Sequence, residues 1–258
     1  MERPSVARMY DYYLGGSHNF AADRAAARAM MDAVPEAPLM AQANRAFLRR
    51  VVHHLIEAGV RQFLDIGSGI PTVGNVHEIA QRAAPESRVV YVDVDPIAVA
   101  HSREILAGNE RAVVIQEDLR NPAGILAHPE VTGLLDFTRP VAVLIVAVLH
   151  FVPDSDHPDQ LLRTLREALV PGSYLALSQV SLDGRRQSPE QGEAERVYRR
   201  TDNPLWFRSH AELTALLAGF ELVEPGVVWV SQWHPEAPEG AEDAEAAGFL
   251  GGVGRVGG

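Results

Sequence analysis

The chain has 258 residues, 47% of them hydrophobic and 22% charged, the composition of a globular rather than a disordered protein. Cysteine is absent, which excludes disulfides, thiolate metal sites and a cysteine nucleophile, and agrees with a reducing, cytoplasmic setting. A net charge of −11 argues against binding to a nucleic-acid backbone, because the arginine pairs at 49–50, 185–186 and 199–200 are short, scattered and read as solvated faces.

Residues 1–35, rich in Ala, Arg and Tyr, read as short helices around a Gly15-Gly16 break, with no apolar signal segment after Met1-Glu2-Arg3-Pro4. An amphipathic helix is predicted from about Ala41 to Ala58, with Phe47, Leu48, Val51, Val52 and Leu55 on one side and Gly59 as its left-handed cap. Strand and helix then alternate. Apolar or β-branched runs fall at 62–66, 88–92, 112–116, 141–148 and 173–178, with helical segments near 74–84, 96–107, 121–135 and 156–169. This order predicts parallel strands joined by right-handed crossovers, with helices on both faces. The run Val141 to Leu149 is about half of the roughly 20 residues that span a bilayer, so it is a buried strand. A last helix starts at Ser209-His210-Ala211-Glu212, with capping-box spacing, and ends at Gly219. Strands near 220–223 and 227–233 follow, and Pro225-Gly226 between them predicts an antiparallel hairpin.

The expected architecture is therefore α/β: a Rossmann-like, seven-stranded, mostly parallel sheet closed by a C-terminal antiparallel hairpin. Residues 1–60 form an N-terminal helical lid, 61–235 the core, and 236–258 an acidic and then Gly-rich tail that is partly flexible.

Three carboxylates fall at successive strand ends. The first strand runs Phe63-Leu64-Asp65-Ile66 into Gly67-Ser68-Gly69, a turn where a Cβ would block close approach of backbone to a ligand. The second ends in Asp93, placed to accept hydrogen bonds from the ribose hydroxyls of an adenosine. The third ends near Asp118, which suits an adenine amino group, with Leu119 to cover the ring. Val94 and Ala147 complete the expected cofactor set. A full diphosphate cradle needs glycine where Thr72 stands, and Pro71 interrupts the helix start. A phosphate-free cofactor needs no helix terminus aimed at anions. The pattern thus favours S-adenosylmethionine over a nicotinamide dinucleotide, with an NAD-dependent oxidoreductase as the weaker alternative.

At the end of the fourth strand, His150 is the candidate base or acceptor-orienting residue; the alternative is a structural histidine bonded to backbone. Tyr10 and Tyr13, with Asn19 as a polar anchor, are candidates for the lid over the acceptor. Tyr198, Trp206 and Arg208 are candidates for a second wall, and Arg208 reads equally as a surface arginine. No metal site is expected: His77-Glu78 lacks the second histidine of H-E-x-x-H, and His53-His54 point apart on their helix.

Met9-Tyr10-Asp11-Tyr12-Tyr13-Leu14-Gly15-Gly16, with Asn19-Phe20 and Asp23-Arg24, resembles the N-terminal signature of an actinobacterial S-adenosyl methyltransferase family long known as a domain of unknown function. The likeness continues through residues 69–77, 91–96, 118–122, 149–154, 171–175 and 251–255. It implies a class I methyltransferase fold and S-adenosylmethionine as cofactor, and leaves the methyl acceptor open. Ser17-His18, Gln179 and Trp233-His234-Pro235 depart from the family pattern. The expected function is methyl transfer to a small molecule, without nucleic-acid or membrane partners. A non-catalytic module that binds S-adenosylmethionine is the alternative.

Overall fold

Fully apolar strands need cover on both faces, and the helices between them supply it. The computed structural model describes residues 4–70, 74–184, 196–198, 201, 204–236 and 248–258. Five parallel strands form the centre: β1 (Gln62–Ile66), β2 (Arg88–Asp93), β3 (Ala112–Gln116), β4 (Ala142–Val146) and β5 (Tyr174–Val180). They stand in the order β3-β2-β1-β4-β5. The chain therefore winds outward from β1 in one direction and then returns to start β4 on its other side. This reversal opens a crevice at the carboxyl ends of β1 and β4, the usual ligand position in such sheets.

Three helices precede the sheet: α1 (Val6–Tyr13), α2 (Ala21–Ala33) and α3 (Ala37–Glu57). Helix α3 starts four residues before the predicted Ala41, with Pro38 in its first turn. It packs Phe47, Val51, Val52 and Leu55 into the same core as α4 (Val76–Ala83) and α5 (Pro96–Ile105). The other face is covered by α6 (Pro122–Ala127), α7 (Pro129–Leu134), α8 (Pro158–Glu167) and α9 (His210–Leu216). The predicted helix over 121–135 is split at His128, which is extended because Pro129 follows it. Helix α9 carries the expected capping box: Glu212 accepts from the Ser209 backbone N–H at 2.7 Å.

The closing edge differs from expectation. Segments β6 (Glu221–Leu222) and β7 (Val228–Trp229) do not pair with each other; both pair with β8 (Phe249–Arg255), which inserts antiparallel beside β5. The sheet thus has eight strand segments among the described residues, and the Gly-rich end of the chain is a strand within it. The glycines give the reason. A Cβ on Gly251 would lie 2.9 Å from both Phe47 and Val230, and one on Gly254 would lie 2.6 Å from Phe220. Bare backbone is what fits between the two layers. The acidic stretch 237–247 lies outside the described residues, as do Pro71 and Thr72.

No helix among the described residues is long and apolar enough to cross a membrane. No group of metal-ligating side chains occurs among them either.

Candidate active site

A cavity of about 610 Å³ opens along the carboxyl ends of the parallel strands, between the sheet and α1 and α3. Asp65, Gly67, Ser68, Gly69, Asp93, Val94, Asp118, Leu119 and Ala147 all line it, so the strand ends bring the expected cofactor set into one space.

The loop after β1 is tied to its neighbour: the backbone N–H groups of Gly67 and Ser68 donate to Val92 O at 2.7 and 3.2 Å. Gly67 has φ +75°, and a Cβ there would collide with Val148 at 2.3 Å. Ser68 Oγ is buried without a hydrogen-bond partner, a polar atom left free where a ligand would lie. Asp65 receives no hydrogen bond from a described residue. Burial, opposed by the Arg45 guanidinium and reinforced by Asp93, pushes its carboxyl up to about 7.

Asp93, at the end of β2, is held by backbone: Oδ2 accepts from Gly69 N at 2.7 Å and Oδ1 from Asp95 N at 2.9 Å. Burial raises it to about 6 against those bonds. Each oxygen retains acceptor capacity for a diol. Asp118 accepts from Arg120 N at 2.8 Å, while Leu119 beside it is buried.

At the end of β4, Ala147 takes φ 61°, a left-handed conformation that costs a non-glycine residue on the order of 1 kcal/mol. A chain of hydrogen bonds holds it there. Ala147 N donates to Ser178 Oγ at 2.8 Å, Ser178 Oγ donates to Asn44 Oδ1 at 2.6 Å, and Asn44 Nδ2 donates to Tyr10 Oη at 3.0 Å. His150 follows in a single 3-10 turn, lining the cavity and 3% exposed. Its Nδ1 has no partner, and burial lowers the imidazole to about 3, so the ring is neutral at physiological pH.

The other expected residues divide. Tyr10, Tyr13 and Tyr198 line the cavity; Asn19, Trp206 and Arg208 do not. Asn19 instead clamps the Gly15-Gly16 turn, donating to Asp11 Oδ2 at 2.8 Å and Gly16 O at 2.9 Å. Arg208 is buried and donates to Leu149 O, Val152 O, Gln179 Oε1 and Asp154 Oδ1 between 2.7 and 3.2 Å, holding the exit of β4. Trp206 contributes backbone: its N–H donates to His150 O at 2.8 Å, and its carbonyl accepts from Gln179 Nε2 at 2.7 Å.

Sequence reasoning overlooked three liners. Arg45 shares one face of α3 with Met40, Ala41, Asn44 and Leu48, a stripe offset from the Phe47–Leu55 stripe that drew attention. Phe249 belongs to the strand read as tail. Asp95 caps α5 by accepting from Ile97 N at 2.8 Å, and also receives Ser5 Oγ and, at 3.3 Å, Arg8 Nη1.

The family described as S-adenosyl methyltransferase matches residues 1–257. A DUF574-family protein of Streptomyces avermitilis is similar at 44% identity over 98% of both chains, with a TM-score of 0.92. A candidate methyltransferase of Thermobifida fusca is 40% identical over 99% of this chain and 96% of its own, also at 0.92. Human N-acetylserotonin methyltransferase, solved with S-adenosylmethionine, shares the fold at 13% identity and a TM-score of 0.51, over 99% of this chain and 63% of its own. Comparison with curated proteins finds no match. With strand order, crevice and whole-length likeness in agreement, the chain belongs to the S-adenosyl methyltransferase family, and it is an S-adenosylmethionine-dependent enzyme with a class I methyltransferase fold.

Proposed function

We propose that the chain methylates a small molecule inside the cavity, with the adenosine of the cofactor held at β2 and β3 and its reactive end at β1 and β4. One observation carries this reading: Asp65, Asp93, Asp118 and His150, whose Nδ1 has no partner, all line a single cavity. The residues present fit the cofactor, since Gly69, at φ +65°, leaves open space that a Cβ would occupy and Ser68 Oγ lacks a partner.

Asp93 accepts the two ribose hydroxyls, and the Asp118-Leu119 turn receives the base. Asp65 faces the ammonium of the amino-acid end, and Arg45 beside it supplies the charge for the carboxylate. S-adenosylmethionine supplies, when bound, an electrophilic methyl group on a sulfonium. Alignment and exclusion of water then provide most of the acceleration, as expected where positive charge on sulfur is relieved in the transition state. Helix α1 excludes water from above, and Ala147 sets the position of the β4 turn that faces the sulfur. Acceptor size is limited by the enclosed volume, which suits a small molecule rather than a polymer.

Titration calorimetry with S-adenosylmethionine and S-adenosylhomocysteine tests the reading. Both are expected to bind, and Asp93→Ala should weaken them by at least about tenfold, the loss of hydrogen bonds to a charged group worth roughly 1.5–3 kcal/mol. Absence of binding, or unchanged affinity in the variant, overturns the assignment.

A further inference from the structure

Resting on the cofactor placement above, we infer that the part of the cavity beyond β4 is an acceptor subsite for an uncharged aromatic compound bearing a hydroxyl, the oxygen of which receives the methyl group.

Strand order lays the site out as a line. Along the carboxyl edge come Asp118 after β3, Asp93 on β2, Asp65 on β1, Ala147 and His150 after β4, Val180 on β5 and Phe249 on β8. Adjacent strands lie about 4.8 Å apart, so β3 to β4 spans roughly 14 Å and β4 to β8 roughly 10 Å. The first interval suits an extended nucleoside-amino acid, the second one ring system.

Chemistry changes along the same line. The cofactor end is acidic, whereas beyond β4 the wall is a continuous run of rings. Phe249 stands 5.8 Å from His150, His150 4.2 Å from Phe151, and Phe151 6.0 Å from Tyr198, centroid to centroid. Tyr13 approaches the Tyr198 phenol and packs with Met30, which also lines the cavity. Such flat and polarizable walls favour an aromatic guest.

A charged acceptor finds no counter-ion there. The chain has no lysine. Arg8 is paired with Asp23 and Asp95, Arg120 with Asp118 and Asp156, and Arg45 lies in the field of Asp65. Asp11, the acidic group on α1, has Oδ2 engaged by His18 N and Asn19, while its Oδ1, without a partner, is turned to Gly16, which does not line the cavity. Nδ1 of His150, on a residue 3% exposed, has no hydrogen-bond partner, and the Tyr13 hydroxyl, on a residue 7% exposed, has only the Tyr198 phenol beside it. Burial and the neighbouring Tyr198 phenol raise Tyr13, and burial takes Tyr198 to about 12, so both remain hydroxyl donors.

In the step itself, an oxygen lone pair forms the O–CH₃ bond while the C–S bond breaks and its electron pair stays on sulfur. The hydroxyl proton passes to the neutral imidazole of His150. That oxygen becomes strongly acidic as the methyl arrives, so even a weakly basic imidazole suffices. One positive charge moves from sulfur to the ring, the net charge of the cavity is unchanged, and the proton leaves to water on product release.

The test uses the full chain saturated with S-adenosylhomocysteine and titrated with 2-naphthol, 2-naphthoate and cyclohexanol. We expect 2-naphthol to bind at least tenfold more tightly than either of the others. Tyr13→Phe should weaken it three- to tenfold, because it removes a neutral hydroxyl from the subsite wall. With S-adenosylmethionine, 2-methoxynaphthalene should form, and His150→Gln should slow it at least tenfold. Preference for naphthoate or cyclohexanol, no binding of naphthol, or indifference to Tyr13→Phe overturns this inference while leaving the cofactor reading standing. Failure of S-adenosylhomocysteine itself to bind removes both.

Discussion

Asp65 is a residue whose protonation the proposed cofactor placement would change. It is a buried carboxylate with no hydrogen bond from a described residue, and its proton is retained up to about pH 7. An unfolded aspartate titrates near 3.9, so between roughly pH 4 and 7 the folded form binds more protons than the unfolded one. Its contribution to stability is therefore fully present below about pH 4 and lost as pH rises through 7; Asp93, raised to about 6, acts in the same sense. In the proposed placement the ammonium of the cofactor reverses the preference by favouring the ionised form. Binding at pH 6.5 should then release a fraction of a proton, visible as a difference in calorimetric enthalpy between two buffers of unlike ionisation enthalpy. Affinity should fall up to about tenfold per pH unit below 7. Asp65→Asn should remove most of the proton release, leaving the smaller share of Asp93; a wild-type enthalpy independent of buffer at pH 6.5 would contradict the assigned contact.

At the scale of elements, the five parallel strands were legible because each is a short apolar run bounded by helical periodicity. The residues proposed for the cofactor stand out because the turn after such a strand has few chemical uses, and all of them line one cavity. Phe249–Arg255 was not legible. Glycine weakens a strand in isolation, and three glycines among seven residues read as loop. What makes them a strand is tertiary: Phe47, Val230, Leu217 and Phe220 occupy the space a side chain would need. Direction was the other blind spot. Arg208 and Asn19 were recognised as unusual polar groups, but spacing alone did not reveal that one braces the β4 exit and the other a turn. Gly254→Val tests the packing account directly. A Cβ 2.6 Å from Phe220 and 3.6 Å from Leu217 forces a shift of the β8–α9 contact. Overpacking of this kind costs about 1–3 kcal/mol, or roughly 2–12 °C in Tm for a chain of this size. An unchanged Tm by calorimetry would mean that β8 is held more loosely than its neighbours imply.

Over the whole molecule, the cavity is roofed by an element that is not part of the sheet, so its closure depends on a few long-range links. Tyr10, Asn44 and Ser178 connect α1 through α3 to the turn at Ala147. At the other end of α1, Arg8 donates to Asp23 at 2.7 Å and to Asp95 at 3.3 Å, with both the arginine and Asp23 nearly devoid of solvent. Asp95 sits two residues beyond Asp93, so the clasp and the proposed ribose contact share one loop. Removing Arg8 leaves Asp23 with the backbone N–H groups of Ser5 and Phe20 but no cation among the described residues, an imbalance that typically costs about 3–5 kcal/mol in a buried pair. Because that cost falls on the roof, the loss should appear as local opening before global unfolding. In Arg8→Ala, amides of Val6–Tyr13 should exchange at least tenfold faster than in the wild type, while those of β1, β2 and β4 keep their protection. Affinity for S-adenosylhomocysteine should fall as the wall over its amino-acid end loosens. Uniform acceleration across the sheet would instead show that α1 and the Rossmann-like core unfold as one unit, with the clasp serving global stability rather than enclosure of the site.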